Sequence, residues 1–243
     1  MRISSSTVCG SNHRINEDAY ECGRLADGTH FAVLCDGMGG VVGGLEASNF
    51  VVDYLAKAVL DEDFTLVDDL KSWMIEKAEA CNEILFAKSV ETTGRVTMGT
   101  TVVFSLLRES KLHLVHSGDS RAYYLDGHRE NEITRLTKDH SIVQELLDSG
   151  RITEEQALKH PNKNIITSAL GVERHPRIDY HEMDVYHDDY ILLCSDGITN
   201  TVSDSYLKEL ITDTEFYSCA RKIVSVAQEN GSQDDMTVLL MNI

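Results

Sequence analysis

The sequence predicts an α+β fold in which antiparallel sheets are covered by helices. Strand-like runs come in blocks, three of them sit close together with only short polar turns between, and amphipathic helical stretches gather before and after them. Nothing marks a linker: only 2 prolines occur in 243 residues, and no stretch rich in Pro, Gly and Ser interrupts the apolar segments. One domain over residues 1–243 is therefore expected, with 42% hydrophobic content to supply its core.

The elements follow in order. Residues 29–35 (THFAVLC), closed by Asp36-Gly37, read as a buried strand ending in a turn. After a glycine-rich entry, Ala47, Val51, Leu55 and Val59 recur every four positions and give a helix one apolar face. A second helix is predicted over 66–89. The period then changes: 100–107, 111–116 and 121–125 are β-rich runs with the spacing of an antiparallel meander. Helices return at 142–149 and 153–159, the latter with Thr153 and Gln156 at capping-box spacing. Strands at 179–185 and 190–194, helices at 204–211 and 215–228, and a last strand at 236–241 complete the pattern. No element is assigned before residue 29.

Acidic residues outnumber basic ones by 40 to 22, a formal net charge of -18 whose field repels nucleic acid. The first nine residues lack a basic region followed by an apolar run, and nowhere do about 18 apolar residues run together. A cytoplasmic location, with no membrane partner, is the expectation. The 6 cysteines are dispersed without a CxxC pair, as reduced, buried thiols would be.

Several carboxylates stand where apolar strands run out. Asp36 follows AVLC, Asp119 lies in Ser117-Gly118-Asp119-Ser120-Arg121, Asp196 follows ILLCS, and Asp234-Asp235 precede MTVLL. Glu17 and Asp18 add two more near the start. A single Asp-Gly is ordinary turn chemistry, because Asp bonds its own backbone and Gly tolerates positive φ. If the sheets bring these turns to one edge, however, the converging carboxylates repel one another severely unless hard cations sit between them. Oxygen-only ligands favour magnesium or manganese over zinc or copper.

The chain resembles the type 2C metal-dependent protein phosphatases. The resemblance rests on Asn16-Glu17-Asp18-Ala19, Asp36-Gly37-Met38-Gly39-Gly40, Gly99-Thr100-Thr101, Ser117-Gly118-Asp119-Ser120-Arg121, Asp139-His140-Ser141, His160-Pro161, Ser195-Asp196-Gly197 and Gly231-Ser232-Gln233-Asp234-Asp235, in the family's order and rough spacing. It spans the whole chain and points to a compact bacterial member. It implies a four-layer α/β/β/α sandwich of two antiparallel sheets flanked by helices, and hydrolysis of phosphoserine and phosphothreonine in proteins. Position by position, it makes Asp36 the bridge between two metals and the Gly37 carbonyl a ligand of the second. Asp196 and Asp234 complete the first metal's shell, and Glu17 and Asp18 bind or orient the second metal and its waters. Asp119, shared with Asp196, matches the ligand of a weaker third ion. Two manganese or magnesium ions about 3.5–4 Å apart would lower the pKa of a shared water and place it for in-line attack. No Ser or Cys nucleophile is then expected, and no GxSxG elbow is present.

The sequence departs from the family pattern at four places. His13 stands where an arginine usually grips the substrate phosphate, with Arg14 beside it. Asp235 replaces an asparagine, Asn200 stands where an acidic residue is common, and Met38 occupies a histidine position of some relatives. His13 and Arg14 are both candidates for the phosphate grip. Residues 139–171 match the family's variable flap beside the active site, and there Arg151, Lys159, His160 and Lys163 would favour an acidic phosphopeptide.

The expected partners are phosphorylated proteins, including a serine/threonine kinase and its substrates, and a monomer is expected. The alternative function is a catalytically silent relative that binds phosphoproteins as a regulatory module; His13 keeps it open, and retention of Asp36, Asp196 and Asp234 favours catalysis. A dinucleotide-binding loop at 37–44 fails on register, because the third glycine of GxGxxG should fall at Val42.

Overall fold

The computed structural model describes residues 1–39, 43–91, 95–128 and 132–243; Gly40 and Val42, which the sequence reading used, lie outside them. The chain runs β1 (Arg2–Val8), β2 (Asp18–Arg24), β3 (His30–Gly39), α1 (Gly43–Leu60), α2 (Leu70–Glu91), β4 (Met98–Thr100), β5 (Val102–Arg108), β6 (Lys111–Ser117), β7 (Arg121–Leu125) and β8 (Ile133–Arg135). It continues with α3 (Ile142–Asp148), α4 (Glu154–Leu158), β9 (Asp179–Asp184), β10 (Tyr190–Cys194), α5 (Asp196–Thr199), α6 (Asp204–Asp213), α7 (Phe216–Glu229) and β11 (Met236–Asn242).

Two antiparallel sheets form, one in the order β1-β11-β10-β7-β8 and the other β2-β3-β5-β6-β9, with β4 pairing β3 beyond the end of β5. Alternation along the central strands sorts their side chains between two cores. Phe31, Val33 and Cys35 of β3 pack under α1 and α2, whereas Ala32 and Leu34 point between the sheets. On the other side Val238 and Leu240 of β11 face α6 and α7, and Leu239 and Met241 meet the opposing sheet. With both faces covered, these strands read as continuous apolar runs. The result is the four-layer α/β/β/α sandwich.

The predicted helices and strands after residue 29 recur with small shifts. The α1 face buries Ala47, Val51, Leu55 and Val59. The second helix begins at Leu70, not at residue 66, because Asp69 ends the preceding turn by accepting the Ser72 N–H (3.1 Å) and hydroxyl (2.6 Å). Thr153 and Gln156 close the capping box of α4. β1, β2 and the three-residue β8 escaped the sequence reading altogether, and β4 was covered only at Thr100. In β1, RISSSTV offers three serines in a row, and in β2, DAYECGR has no apolar alternation; both are edge strands held by their neighbours β11 and β3. Cys35, Cys81, Cys194 and Cys219 are buried thiols as expected, and Cys9 and Cys22 are half-buried; all six are unpaired. No helix among the described residues is long and apolar enough to cross a membrane.

Candidate metal centre

Strand register assembles the acidic site. Asp18, which opens β2, is the cross-strand partner of Asp36. Asp36 lies inside β3 and not past its end, because the strand leaves β5 after Leu34 and goes on to pair Gly37 with Thr100. Its main chain is clamped by the next loop: the Asp36 N–H donates to Thr101 Oγ1 (3.0 Å), and its carbonyl accepts from Thr101 N (2.9 Å) and Thr100 Oγ1 (2.9 Å). In the other sheet Cys194, the last residue of β10, pairs with Arg121 on one side and Val238 on the other. Antiparallel pairing thus puts Asp196 just after β10, Asp119 just before β7 and Asp234 just before β11 at one edge.

Close backbone packing holds Glu17 and Gly37 beside this edge. A Cβ added to Gly37 would come 2.2 Å from the Gly44 carbonyl oxygen and 2.7 Å from that of Glu17, so only glycine lets the start of α1 lie against β3. The Glu17 carboxylate sits over that helix start, its Oε2 2.6 Å from where a Cβ on Gly44 would lie.

The electrostatics are those of an anion cluster lacking its counter-charge. Burial, reinforced by Asp235 and Asp196, pushes the Asp18 carboxyl up to about 7. Burial and the neighbouring Asp234 raise Asp196 to about 6. Asp36 and Asp119 are pushed well above the carboxylate range, again by burial first and then by Asp18 and Asp196 respectively. Such groups ionise together only if cations lie among them.

One atom points the same way. Asp18 Oδ2 accepts the Ser195 hydroxyl (2.8 Å), which itself accepts the Thr237 N–H (2.9 Å), but Asp18 Oδ1 is buried with no hydrogen-bond partner in the described structure. An orphaned carboxylate oxygen in an all-oxygen donor set is what a hard cation or its water would satisfy. The residues present fit magnesium or manganese.

A tighter cluster lies nearby and is already satisfied. Among the described residues, the group of three whose ligand atoms all fall within 4.8 Å of one another is His116, His140 and Asp179. His140 Nδ1 accepts the Gly118 N–H (3.2 Å) and its Nε2 faces Asp179 (3.3 Å), while His116 Nε2 donates to the Lys138 carbonyl (3.0 Å) and the Arg177 guanidinium clasps Asp179. This closed network ties the turn carrying Asp119 to the start of the 139–171 segment.

Asp235, whose role the sequence left open, does not face the metal site. It is 2% exposed, and its two oxygens accept the Gly10 N–H (2.8 Å), the Glu17 N–H (2.7 Å) and His13 Nδ1 (2.9 Å). One buried side chain therefore pins both ends and the middle of the loop carrying His13, Arg14 and Glu17. His13 Nε2 lies 3.6 Å from Asp234 Oδ1, at the site's margin, and both His13 and Arg14 are exposed. The Asp235 bond holds the His13 pKa above its ordinary value, against the effect of partial burial. Asn200 donates its amide to Asp196 Oδ2 (2.9 Å), steadying that carboxylate where an acidic residue would repel it. Met38, half-buried in β3 opposite Gly99, offers no acid. Ser195 and Thr101 stand in the motifs Ser195-Asp196-Gly197 and Gly99-Thr100-Thr101, but neither drew a role from the sequence, and their supporting bonds appear only in the fold.

Comparison with known proteins agrees with this geometry. The family model described as protein phosphatase 2C matches residues 7–236. The chain belongs to the protein phosphatase 2C family. It is 34% identical to the serine/threonine phosphatase stp of Listeria monocytogenes serovar 1/2a, over 99% of this chain and 95% of that protein. The crystal structure of the serine/threonine phosphatase Stp1 from Staphylococcus aureus superposes with a TM-score of 0.90 at 32% identity, covering 99% of this chain and 94% of that one. The catalytic domain of the serine/threonine protein phosphatase PstP, solved in complex with 2 manganese ions, gives a TM-score of 0.85 at 32% identity, covering 99% and 97%. The acidic, oxygen-only site accords with the metal dependence of the 2C family.

Proposed function

We propose that this member of the 2C family hydrolyses phosphoserine and phosphothreonine in proteins, using two divalent cations, manganese or magnesium. Asp36 would bridge them. Asp196 and Asp234 would hold the first, the Gly37 carbonyl the second, and Glu17 and Asp18 would bind or orient the second ion and its waters. Asp119 would hold a weaker third ion with Asp196. The observation that carries this reading is the crowding of buried Asp18 with half-buried Asp36, Asp119 and Asp196, whose carboxyls raise one another's pKa, with Asp18 Oδ1 left unpartnered. When bound, such a pair supplies Lewis acidity and a water nucleophile of lowered pKa.

The chain's own groups do the rest. Thr100 and Thr101 fix the main chain of Asp36, and Asn200 holds Asp196. His13, oriented through Nδ1 by Asp235, lies at the margin of the site with Arg14 beside it, and these two are the proposed grip on the substrate phosphate. The chain acts as one catalytic domain with 139–171 as a flap. Its partners are phosphorylated proteins, including a serine/threonine kinase and the substrates of that kinase, met as a monomer in the cytoplasm. A silent phosphoprotein-binding module is not favoured, since every proposed metal ligand is present.

The test is hydrolysis of a chromogenic aryl phosphate and of a phosphothreonine peptide with manganese, with magnesium and with chelator. Turnover that needs the metal supports the reading, and binding of the phosphopeptide without turnover under any metal would replace it with the regulatory module.

A further inference from the structure

Two depressions meet beside the metal centre. The smaller, about 290 Å³, has His13, Gly197 and Asp234 in its wall. The larger, about 840 Å³, lies between α3 and α4 on one side and the corner from α5 to α6 on the other, and its volume is that of a small-ligand pocket. Lys163 and Asn200 line both, so they form one groove. Asn200 is the residue that donates to Asp196, which ties the shared wall to the acidic site.

The larger cavity has an apolar floor, and around that floor the arginines and Asp148 are paired, while Lys163 and Glu154 also line its wall. Leu147 and Ile152 are half-buried there, backed by Val143, Ala157 and Val202. Arg121 reaches it but gives Nε and Nη2 to Asp139 (2.9 and 2.7 Å). Arg135 lies 3.7 Å from the same carboxylate and donates to Gln144 (3.1 Å). Lys138 covers Asp148 at 2.7 Å. A charged side chain set on that floor would lose its water against Leu147 and Ile152 and compete with these pairs, and a small polar one would leave the apolar floor wet.

We propose that this cavity is a specificity pocket that receives an apolar side chain of the substrate polypeptide, at a position flanking the phosphorylated residue. The proposal rests on the phosphatase reading above and adds to it a preference that the cations of the 139–171 segment do not suggest: aliphatic, and not acidic, next to the phosphoresidue. Continuity of the groove through Lys163 and Asn200 is what commits the pocket to the substrate chain.

The experiment uses the manganese-loaded enzyme and phosphothreonine peptides that differ only by Leu, Ser or Glu at each flanking position, with an aryl phosphate as a substrate too small to reach the cavity. At one flanking position Leu should exceed both Ser and Glu in kcat/KM by about tenfold, the scale on which apolar pockets discriminate. Leu147→Asp, which places charge on the floor, and Ile152→Trp, which fills the space, should each erase that preference while affecting aryl phosphate turnover much less. Uniform kcat/KM across the peptides, with aryl phosphate turned over normally, sinks the pocket and leaves the phosphatase reading standing. A leucine preference that survives both substitutions also sinks it. Turnover of no substrate at all would instead remove the phosphatase reading, and the pocket with it.

Discussion

The His13 imidazole meets the Asp235 carboxylate at 2.9 Å, so two of the positions where this sequence departs from the family pattern are partners in space. An arginine at 13 beside an asparagine at 235 would make no such ion pair. Here the carboxylate orients the ring and also secures the main chain at Gly10 and Glu17.

Removing that carboxylate should therefore loosen the loop before it touches the chemistry. Asp235→Ala leaves two main-chain N–H groups without their acceptor, at about 1–3 kcal/mol each. A drop of roughly 2–5 kcal/mol in unfolding free energy is expected, with a raised KM. Denaturant unfolding checks it; a loss below about 0.5 kcal/mol would mean that water replaces Asp235 without cost.

The phosphate grip is separable by two substitutions. An arginine offers a phosphate two parallel donors and an imidazole at most one, so His13→Arg should lower KM for a phosphopeptide, provided Asp235 does not draw the guanidinium away. Combining it with Asp235→Asn removes that competition and should lower KM further. Arg14→Ala should raise KM only if Arg14 shares the grip. If none of these variants alters KM or kcat, neither residue holds the phosphate.

Loss of the proposed bridging ligand should be nearly complete. Asp36→Ala is expected to cost at least about 10²–10³ in kcat, as removal of a central electrostatic group does. It should also abolish the rise in thermal midpoint that manganese gives the wild type, since a ligand binding only the folded state stabilises it by mass action. Half the wild-type rate surviving in this variant would contradict a two-metal mechanism.

Asp119→Ala should behave differently. Calorimetric titration should still find two tight manganese ions, while turnover at low metal falls and recovers only at higher concentration. Unchanged turnover at every concentration would reduce Asp119 to a turn residue.

The buried His140 sets an acid limit on stability. Burial first, and then the neighbouring His116, lower its pKa from 6.5 to about 4, with Asp179 opposing and Arg177 assisting. A group whose folded pKa is depressed contributes stability that is complete above its unfolded value and is lost as pH falls toward the folded one. The protein should thus lose stability between about pH 6.5 and 4 through this residue. In His140→Gln the melting temperature should start lower at pH 7 and fall less steeply over that interval; an unchanged slope would place the acid sensitivity elsewhere.

The sequence by itself determined the strands that are apolar on both faces, such as β3 and β11, and the helix whose apolar residues recur every four positions, α1. In each case the pattern repeats within one short segment. It also marked Asp36, Asp119 and Asp196, because glycine-flanked aspartates at strand ends are local signals, whereas Glu17, Asp18 and Asp234 took their roles from the family resemblance. Only the tertiary structure decided that β1 and β2 are strands at all, since their polar runs pair solely because β11 and β3 present free edges. The same holds for Asp235, whose donors at residues 10, 13 and 17 lie more than 200 positions away in sequence, and for Asp18, which stands opposite Asp36 through the register of two strands. Local spacing fixes which segment a residue belongs to, whereas pairing register and loop docking fix what it touches. Those are settled by the summed burial of the whole sandwich.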